Sequence, residues 1–357
     1  MVSLYVGSTS GYSGKSLVSM GLGFKFKKDG LKVGYLKPVG ILPIKVENIL
    51  TDKDAWFIYR AFELKDSISE ICPVVLTQEL TVKAYLKDVR GLLGKIEKSY
   101  KQLSENKDLM IVGGSGSIYS WNVLGVSGLK VIKRLNAKTL IVVKYEGEFC
   151  VDYILQAKKD LNDHFIGVIF NKVTHDYKQD VEDYIVPFLK RKGVDIIGIL
   201  PHDSLVGSIT VEELSEMLGG KVLCCPDKLN NLVERFLIGA MQVDKASEYF
   251  RRTENNAIIV GGDRADIQLS AIESGTECLV LTGELYPSEI IIAKAEQREI
   301  PIIVVRDDTY SVAKKLERLS VRLRLRDKAK VARGTEMVIK NVDFSLLYKK
   351  LGINIGL

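Results

Sequence analysis

A glycine-rich segment near the start of the chain constrains the fold more than any other feature. Residues 7–16 read GSTSGYSGKS, directly after the short apolar run Val2–Val6 and before a helix-like segment from Leu17 onward. A strand, a glycine-rich loop and a helix start in succession are the context that a phosphate-binding loop needs. Backbone N–H groups in such a loop form a concavity of anion size, and the helix N-terminus adds the positive end of its dipole. The sequence therefore predicts a bound nucleotide.

The glycine spacing in this loop departs from the usual pattern. The pattern G-x-x-x-x-G-K-[ST] has glycine at the position where this chain has Thr9. A serine- and glycine-rich turn is therefore the alternative interpretation. We favour the phosphate-binding loop, in which Lys15 reaches the terminal phosphates and the Ser16 hydroxyl binds Mg²⁺. The predicted nucleotide-binding residues of the loop are Gly11, Ser13, Gly14, Lys15, Ser16 and Leu17.

The composition is that of an ordinary globular protein, with 46% apolar and 27% charged residues. No window approaches the roughly 18 uninterrupted apolar residues of a membrane span. The start of the chain lacks the features of a signal peptide. The five cysteines have no C-x-x-C spacing and the three histidines no metal-ligand spacing, so neither a disulfide framework nor a zinc site is expected. We expect a cytoplasmic protein with no membrane partner.

The net charge of +6 is concentrated near the C-terminal end of the sequence. The segment Arg306–Lys340 contains eleven Lys/Arg and five Asp/Glu. Arg322, Arg324 and Arg326 alternate with leucines, which predicts three guanidinium groups on one face of a strand. Such a face binds nucleic acid in some proteins, and in others it is a solvated or anion-binding edge. The lack of interleaved aromatic residues favours the second interpretation.

Apolar runs typical of buried strands alternate with helical patterns through the first 220 residues. This alternation predicts an α/β fold of the P-loop NTPase type, with a mostly parallel sheet and helices on both faces. Ligands of such sheets bind at the carboxyl ends of the strands, where the glycine-rich loop follows its strand. The predicted strands are Leu4–Val6, Lys32–Lys37, Leu109–Val112, Thr139–Val143, Phe165–Phe170 and Asp195–Ile199. The predicted helices are Lys15–Phe26, Asp52–Phe62, Val82–Leu103, Asp152–Leu161 and Asp180–Lys192.

A second series of strands and helices follows a break at Gly219-Gly220. It predicts a second, smaller α/β domain. We expect domains at residues 1–220 and 221–345, followed by a C-terminal tail at 346–357. The predicted elements of the second domain are the strands Asn256–Val260, Glu277–Leu281 and Ile300–Val305 and the helices Ala265–Ser274, Ser288–Gln297 and Tyr310–Leu319.

Four further residues of the first domain are suited to a nucleotide site. Lys37 ends the second predicted strand beside the expected phosphates, and Asp54 is a candidate carboxylate for Mg²⁺. Asn171 ends a strand with a side-chain amide suited to an adenine edge, and Pro201 follows the next strand, where it would pack on the base. A purely structural role is the alternative for Lys37, Asp54 and Asn171.

These residues and the loop together resemble dethiobiotin synthetase and its relatives, a P-loop family that includes the cobyrinic acid amidotransferases. The pattern that carries the resemblance is Lys37-Pro38-Val39, then strand-terminal Asn171, then Pro201. The resemblance implies ATP or ADP and Mg²⁺ as cofactors, and it implies that Lys37 is the candidate catalytic residue, on the substrate side of the site.

One position departs from that family. The family's strand that leads to the Mg²⁺ site usually ends in Glu-Gly, whereas here the strand Leu109–Val112 runs into Gly113. A missing carboxylate weakens metal binding and the stabilisation of a transferring phosphoryl group, and the loss of one such group costs about 10²–10³ in rate. We therefore expect nucleotide binding to be retained better than turnover.

The second domain carries the run Gly261-Gly262-Asp263-Arg264-Ala265-Asp266 after an apolar strand, and Thr282-Gly283 after the next strand. This stretch resembles the DRTGG domain, although only Asp-Arg of the name-giving pentapeptide is present. The candidate site residues are Gly262, Asp263, Arg264, Asp266 and Thr282. The alternative role for Asp263 is to cap the N-terminus of the following helix.

The two domains in this order resemble the N-terminal half of long phosphate acetyltransferases, without the acetyl-transfer domain. Two functions follow as hypotheses. One is a nucleotide-binding regulatory or sensory protein, and the other is an ATP-dependent ligase-type enzyme acting on a small carboxylate or amine. The resemblance also implies a homo-oligomer or a protein partner. Nucleic-acid binding is the least favoured hypothesis.

Overall fold

The computed structural model describes residues 1–145, 147, 149–319 and 328–354. The chain divides into two compact units. The first contains Met1–His202 and the described residues 328–354, and the second contains residues 203–319. The five cysteines are all free. Among the described residues, no helix combines the length and the apolar character needed to cross a membrane.

The first unit alternates strands and helices from its first residues. Its elements up to residue 202 are β1 (Val2–Gly7), α1 (Lys15–Lys28), β2 (Val33–Leu36), β3 (Val39–Gly40), β4 (Pro43–Val46), β5 (Ile49–Asp52), α2 (Lys53–Ala61), α3 (Ile68–Ile71), β6 (Val74–Val75), α4 (Gln78–Leu86), α5 (Leu92–Ser104), β7 (Leu109–Gly113), α6 (Gly128–Leu135), β8 (Lys138–Lys144), α7 (Phe149–Leu161), β9 (Phe165–Val173), α8 (His175–Asp180), α9 (Val186–Arg191) and β10 (Ile196–Pro201).

Six of these strands form one parallel sheet in the order β10-β9-β8-β1-β7-β2. The strands are buried along most of their length, which is why they read in the sequence as continuous apolar runs rather than as alternating patterns. β1 lies between β7 and β8, with Val6 opposite Gly113 and Leu140. The loop after β1 therefore starts at the carboxyl edge of the sheet, where ligands of such folds bind.

The second unit is built around a sheet of five strands in the order β12-β17-β16-β15-β14, in which only β12 is antiparallel to its neighbour. Apolar clusters cover both faces of this sheet. Its elements are α10 (Ser204–Gly207), β11 (Ile209–Thr210), α11 (Val211–Leu218), β12 (Lys221–Val222), β13 (Leu232–Val233), β14 (Arg235–Ile238), α12 (Val243–Arg251), β15 (Asn256–Gly261), α13 (Ala265–Ser274), β16 (Cys278–Thr282), α14 (Glu289–Gln297), β17 (Ile302–Val304) and α15 (Thr309–Leu319).

The predicted fold class is confirmed in both units. Two local features differ from the sequence-based expectation, and a third prediction is not tested. The segment expected to be one helix over residues 82–103 forms α4 and α5, because Gly91 between them has a φ of 84° and interrupts the helix. The hairpin of β4 and β5 was not expected from the sequence. The arginine-rich segment around Arg322–Arg326 lies outside the described residues.

Two helices at the C-terminal end return to the first unit, contrary to the expected boundaries at residues 221–345 and 346–357. They are α16 (Lys328–Asn341) and α17 (Phe344–Leu351). α16 packs against α1 through small residues: a Cβ added at Gly21 would lie 2.5 Å from Cβ of Val338, and one at Gly334 would lie 2.2 Å from Leu17. The close approach of the two helices requires glycine at residue 21, where the neighbour is the Cβ atom of Val338, and the burial of these apolar faces places α16 with the first unit.

Candidate functional site

The loop after β1 leads into α1 through Gly14. This residue is the N-cap of α1, has a φ of 89°, and no side chain caps the helix. The amide groups of the first turn of α1 are thus not bonded by a capping side chain, which leaves them oriented for an anion. A Cβ at Gly14 would lie 2.0 Å from Nδ2 of Asn171, so close packing and the left-handed backbone both require glycine here.

Lys15 folds back along the loop. Its Nζ donates a hydrogen bond of 2.7 Å to the Ser8 hydroxyl, and the residue is buried. Burial lowers the pKa of Lys15 to about 8; the nearby Lys37 adds to this effect and Asp54 opposes it. An anion bound beside Lys15 would favour its charged form, so the loop is electrostatically prepared for phosphate.

Serine hydroxyls hold the loop in shape. Ser8 Oγ lies 2.5 Å from the carbonyl oxygen of Ser10 and 3.0 Å from that of Gly116, and its one proton is shared between these acceptors. The hydroxyls of Ser10 and Ser13 lie 3.1 Å apart. A Cβ at Gly11 would have no neighbour within 4 Å, so Gly11 is not fixed by packing.

Asp54, Lys37 and Ser16 form one cluster beside the loop. Oδ2 of Asp54 accepts hydrogen bonds of 3.2 Å from both the Ser16 hydroxyl and Lys37 Nζ. Asp54 lies in the first turn of α2, and Lys37 directly follows β2. The structure thus brings together three of the residues that the sequence singled out, from three different elements.

Asp52 organises this cluster from inside and was not singled out from the sequence. It is fully buried and caps α2 by accepting from the amides of Asp54 (2.9 Å) and Ala55 (3.1 Å). It also accepts from Lys37 Nζ at 2.6 Å. The local pattern Thr-Asp-Lys-Asp before a helical segment is the signal for the cap, but nothing in it indicates the contact with Lys37.

The same two carboxylates fix the charge of Lys37. Burial alone would lower the pKa of Lys37, but Asp54 and Asp52 outweigh it and raise the pKa well above its ordinary value. Lys37 is therefore a permanent cation at the carboxyl edge of the sheet.

Gly113 stands where the resemblance placed an acidic residue, and the structure gives a physical reason for its small size. A Cβ at Gly113 would lie 2.4 Å from the hydroxyl oxygen of Tyr35 and 3.1 Å from its Cζ. The ring of Tyr35 reaches across the end of β7 and occupies the space that a side chain at residue 113 would need. No sequence signal pointed to Tyr35, because its contact with Gly113 depends on the order of the strands.

The remaining candidates of the first unit differ in their burial and in their contact with the loop. Nδ2 of Asn171 donates to the Ser13 carbonyl at 2.8 Å, so this buried amide also supports the loop. Pro201 ends β10 and is exposed. Leu17 is buried against α16, so only its backbone could face a nucleotide.

A magnesium ion would find a small donor set here. Among the described residues no group of three or more His, Cys, Asp or Glu is arranged for a metal ion. Ser16 and Asp54 supply one hydroxyl and one carboxylate. Mg²⁺ often binds through one or two carboxylates and completes its shell with substrate phosphates and water. The residues therefore fit Mg²⁺ that arrives with a nucleotide.

In the second unit, the candidate residues lie at the carboxyl ends of β15 and β16. The exposed Arg264 pairs with Asp266 through two bonds of 3.1 Å. The buried Thr282 hydroxyl lies 2.8 Å from that of Thr309. The alternative role of Asp263 as a helix cap is wrong, because the N-cap of α13 is Arg264 and no side chain caps that helix.

Gln268, which the sequence did not indicate, supports the loop after β15 by hydrogen bonds. Its Nε2 donates to the carbonyls of Gly261 (3.1 Å) and Gly262 (3.0 Å). Gly262 thus contributes to the loop through its backbone.

Comparison with known proteins agrees with this architecture. A family model described as AAA domain matches residues 2–210, and a model of the DRTGG domain matches residues 213–319. Phosphate acetyltransferase of Synechocystis sp. is 22% identical over 96% of this chain and 50% of its own length, and that of Nitratidesulfovibrio vulgaris is 24% identical over 98% and 51%. The ATP-dependent dethiobiotin synthetase BioD of Clostridium perfringens is 25% identical over 61% of this chain and 98% of its own length.

The chain spans about half the length of the phosphate acetyltransferases it matches. The synthetase, in contrast, is covered over 98% of its length by 61% of this chain. The resemblance to a dethiobiotin synthetase-like domain, a DRTGG domain and the N-terminal half of phosphate acetyltransferases is therefore confirmed. The chain belongs to the AAA domain family, with a dethiobiotin synthetase-like P-loop domain followed by a DRTGG domain.

Proposed function

We propose that this chain is a cytoplasmic nucleotide-binding protein with a regulatory or sensory role, which binds ATP or ADP with Mg²⁺ at the loop after β1. The observation that carries the proposal is the combination of a phosphate loop that has its lysine and serine with a metal site that has glycine in place of an acidic residue at Gly113. Lys15, Ser16 and the uncapped start of α1 supply the groups that hold phosphates. Asp54 is the one carboxylate that bonds to Ser16 among the residues the structure describes, and Tyr35 fills the space at Gly113.

Within this proposal each first-unit residue has a role. Ser16 and Asp54 would hold Mg²⁺ together with the nucleotide phosphates. The amide oxygen of Asn171 would accept a hydrogen bond from the adenine amine, since its Nδ2 bonds to the loop. Pro201 would pack against the base. The name of the relative from C. perfringens, an ATP-dependent synthetase, supports ATP as the nucleotide.

The second unit would read or relay the nucleotide state, alone or through a protein partner or a second copy of the chain. Its candidate residues, from Gly262 to Asp266 together with Thr282, form a rim at the carboxyl edge of its sheet. The similarity to phosphate acetyltransferases suggests that such a unit accompanies acetyl-transfer chemistry in those proteins, and here it would serve a regulatory purpose.

An ATP-dependent ligase-type activity on a small carboxylate or amine is the second candidate function. One observation favours it: Lys37 is a buried, permanent cation at the carboxyl edge, where it would orient an anionic acceptor. The single carboxylate beside Ser16 argues for slow turnover.

Calorimetric titration with ATP and ADP tests the proposal. We expect the wild type to bind both nucleotides, and Lys15→Ala to bind ATP about 10- to 100-fold more weakly, because it loses a charged donor to the phosphates. Lys101→Ala, which removes an exposed lysine on α5, is the matched control and should bind like the wild type. Equal ATP binding by the wild type and Lys15→Ala would reject the phosphate loop. Rapid ADP release with small amines or carboxylates would instead favour the ligase.

A further inference from the structure

Tyr35 is a buried tyrosine whose hydroxyl lies at the edge of the charged cluster. The sheet order β1-β7-β2 places β7 between the strand that precedes the phosphate loop and the strand that carries Tyr35. The hydroxyl crosses the end of β7 at Gly113, as the 2.4 Å distance to a Cβ built there shows. It therefore points from β2 towards the strand that leads into the loop.

The hydroxyl has no internal hydrogen-bond partner. The residue is only 2% exposed, and within the described part of the chain no group donates to its oxygen or accepts its proton. The hydroxyl oxygen is not one of the fully enclosed, unpartnered polar atoms of the described residues, so it keeps some accessible surface although the ring is buried. A bound ligand can therefore reach the hydroxyl and accept its proton.

The charged groups around Tyr35 belong to the nucleotide site. Lys37 follows it by two residues, and Asp54 and Asp52 are near enough to influence its ionisation. Burial raises the pKa of Tyr35 well above its ordinary value; Lys37 opposes this and Asp54 supports it, so the phenol stays protonated. Asp54 in turn bonds to Ser16, at the end of the loop where terminal phosphates are expected.

We propose that Tyr35 determines nucleotide specificity at this site, by donating a hydrogen bond from its neutral hydroxyl to the terminal phosphoryl group of ATP. The inference rests on the proposed function, since it needs a nucleotide on the loop. A neutral donor in the space at Gly113 attracts phosphate oxygens, whereas a carboxylate there would repel them unless a metal ion lay between. The site then distinguishes ATP from ADP through Tyr35.

Tyr35→Phe tests the inference because it removes the oxygen alone. We expect ATP affinity to fall about tenfold, the loss expected for a hydrogen bond to a charged group, while ADP affinity changes less than about twofold. Thermal unfolding of the unliganded variant should not move to lower temperature, because no internal hydrogen bond is lost. A purely structural role for the hydroxyl would lower the unfolding temperature.

Tyr100→Phe is the matched control. Its hydroxyl bonds to that of Ser3, near the start of β1 and away from the loop. This variant should unfold at a lower temperature and bind ATP like the wild type.

The outcomes separate this inference from the proposed function. If the wild type binds no nucleotide, or binds it no better than Lys15→Ala, the proposed function fails and the inference with it. If the wild type binds ATP through Lys15 and Tyr35→Phe keeps its ATP affinity, loses ATP and ADP affinity equally, or unfolds at a lower temperature, the inference alone is overturned.

Discussion

Replacement of the buried Asp52 by asparagine should destabilise the first unit strongly. The side chain is fully buried, and its two oxygens accept five hydrogen bonds. Oδ2 accepts from the amides of Ile41 and Leu42, both at 2.8 Å, and Oδ1 accepts from Lys37 and from two amides of α2. In Asp52→Asn an NH₂ group must face some of these donors.

The expected loss follows from the charge that is left behind. Lys37 would keep only Asp54, whose side chain is 35% exposed and 3.2 Å away. Removing one partner of a buried ion pair costs about 3–5 kcal/mol, because the other charge remains in a poorly solvated place. We therefore expect the free energy of unfolding to fall by about that amount. Asp54→Asn, which leaves the Lys37–Asp52 pair intact, should cost about 1 kcal/mol.

Urea unfolding followed by tryptophan fluorescence measures the loss of stability in the first unit. The two tryptophans, Trp56 and Trp121, both lie in the first unit, and Trp56 is on the helix that Asp52 caps. Adding Lys37→Met to Asp52→Asn should recover part of the stability, because it removes the uncompensated ammonium group. A loss below about 1 kcal/mol for Asp52→Asn, or no recovery in the double variant, would refute the reasoning.

Two further predictions concern the loop and the helix pair. Burial lowers the pKa of Lys15 to about 8 in the unliganded protein, whereas bound phosphate favours the charged form. ATP binding should therefore take up roughly three-quarters of a proton at pH 8.5. Because binding takes up a proton, ATP affinity should fall as the pH rises further. Titrations in metal-free buffers of different ionisation enthalpy measure this uptake, and proton release would contradict it. Gly21→Ala should lower the stability of the first unit by about 1–3 kcal/mol, because its Cβ would overlap Val338 of α16. An unchanged urea midpoint would show that the two helices are not tightly packed.

The sequence was sufficient where the site is local. The loop residues from Gly11 to Ser16 are contiguous, and strand, loop and helix follow one another in the chain as they do in space. The buried parallel strands were also predictable, since strands covered on both faces read as apolar runs. Lys37 and Asp54 could be singled out as candidates because each stands at the end or start of a recognisable element, and the structure places them in contact.

Contacts between distant elements could not be read from the chain. Tyr35 and Gly113 meet only because β7 lies between β1 and β2, and strand order is not written in local periodicity. The role of Asp52 beyond its cap depends on a hairpin that turns the chain back onto Lys37. The helix α16 shows an amphipathic pattern, but no local feature of the sequence indicates the surface against which its apolar side packs.

The return of α16 to α1 makes the nucleotide-binding unit discontinuous in the chain, with the second unit inserted between β10 and α16. During synthesis α1 leaves the ribosome before the inserted unit, and its packing partner α16 leaves it only after the whole inserted unit has been made. The apolar surface of α1 at Leu17 and Gly21 therefore stays uncovered by α16 while the second unit is synthesised. The phosphate-loop unit is completed only after the inserted unit has been synthesised. A truncated product would accordingly carry the complete glycine-rich loop on an unfinished scaffold.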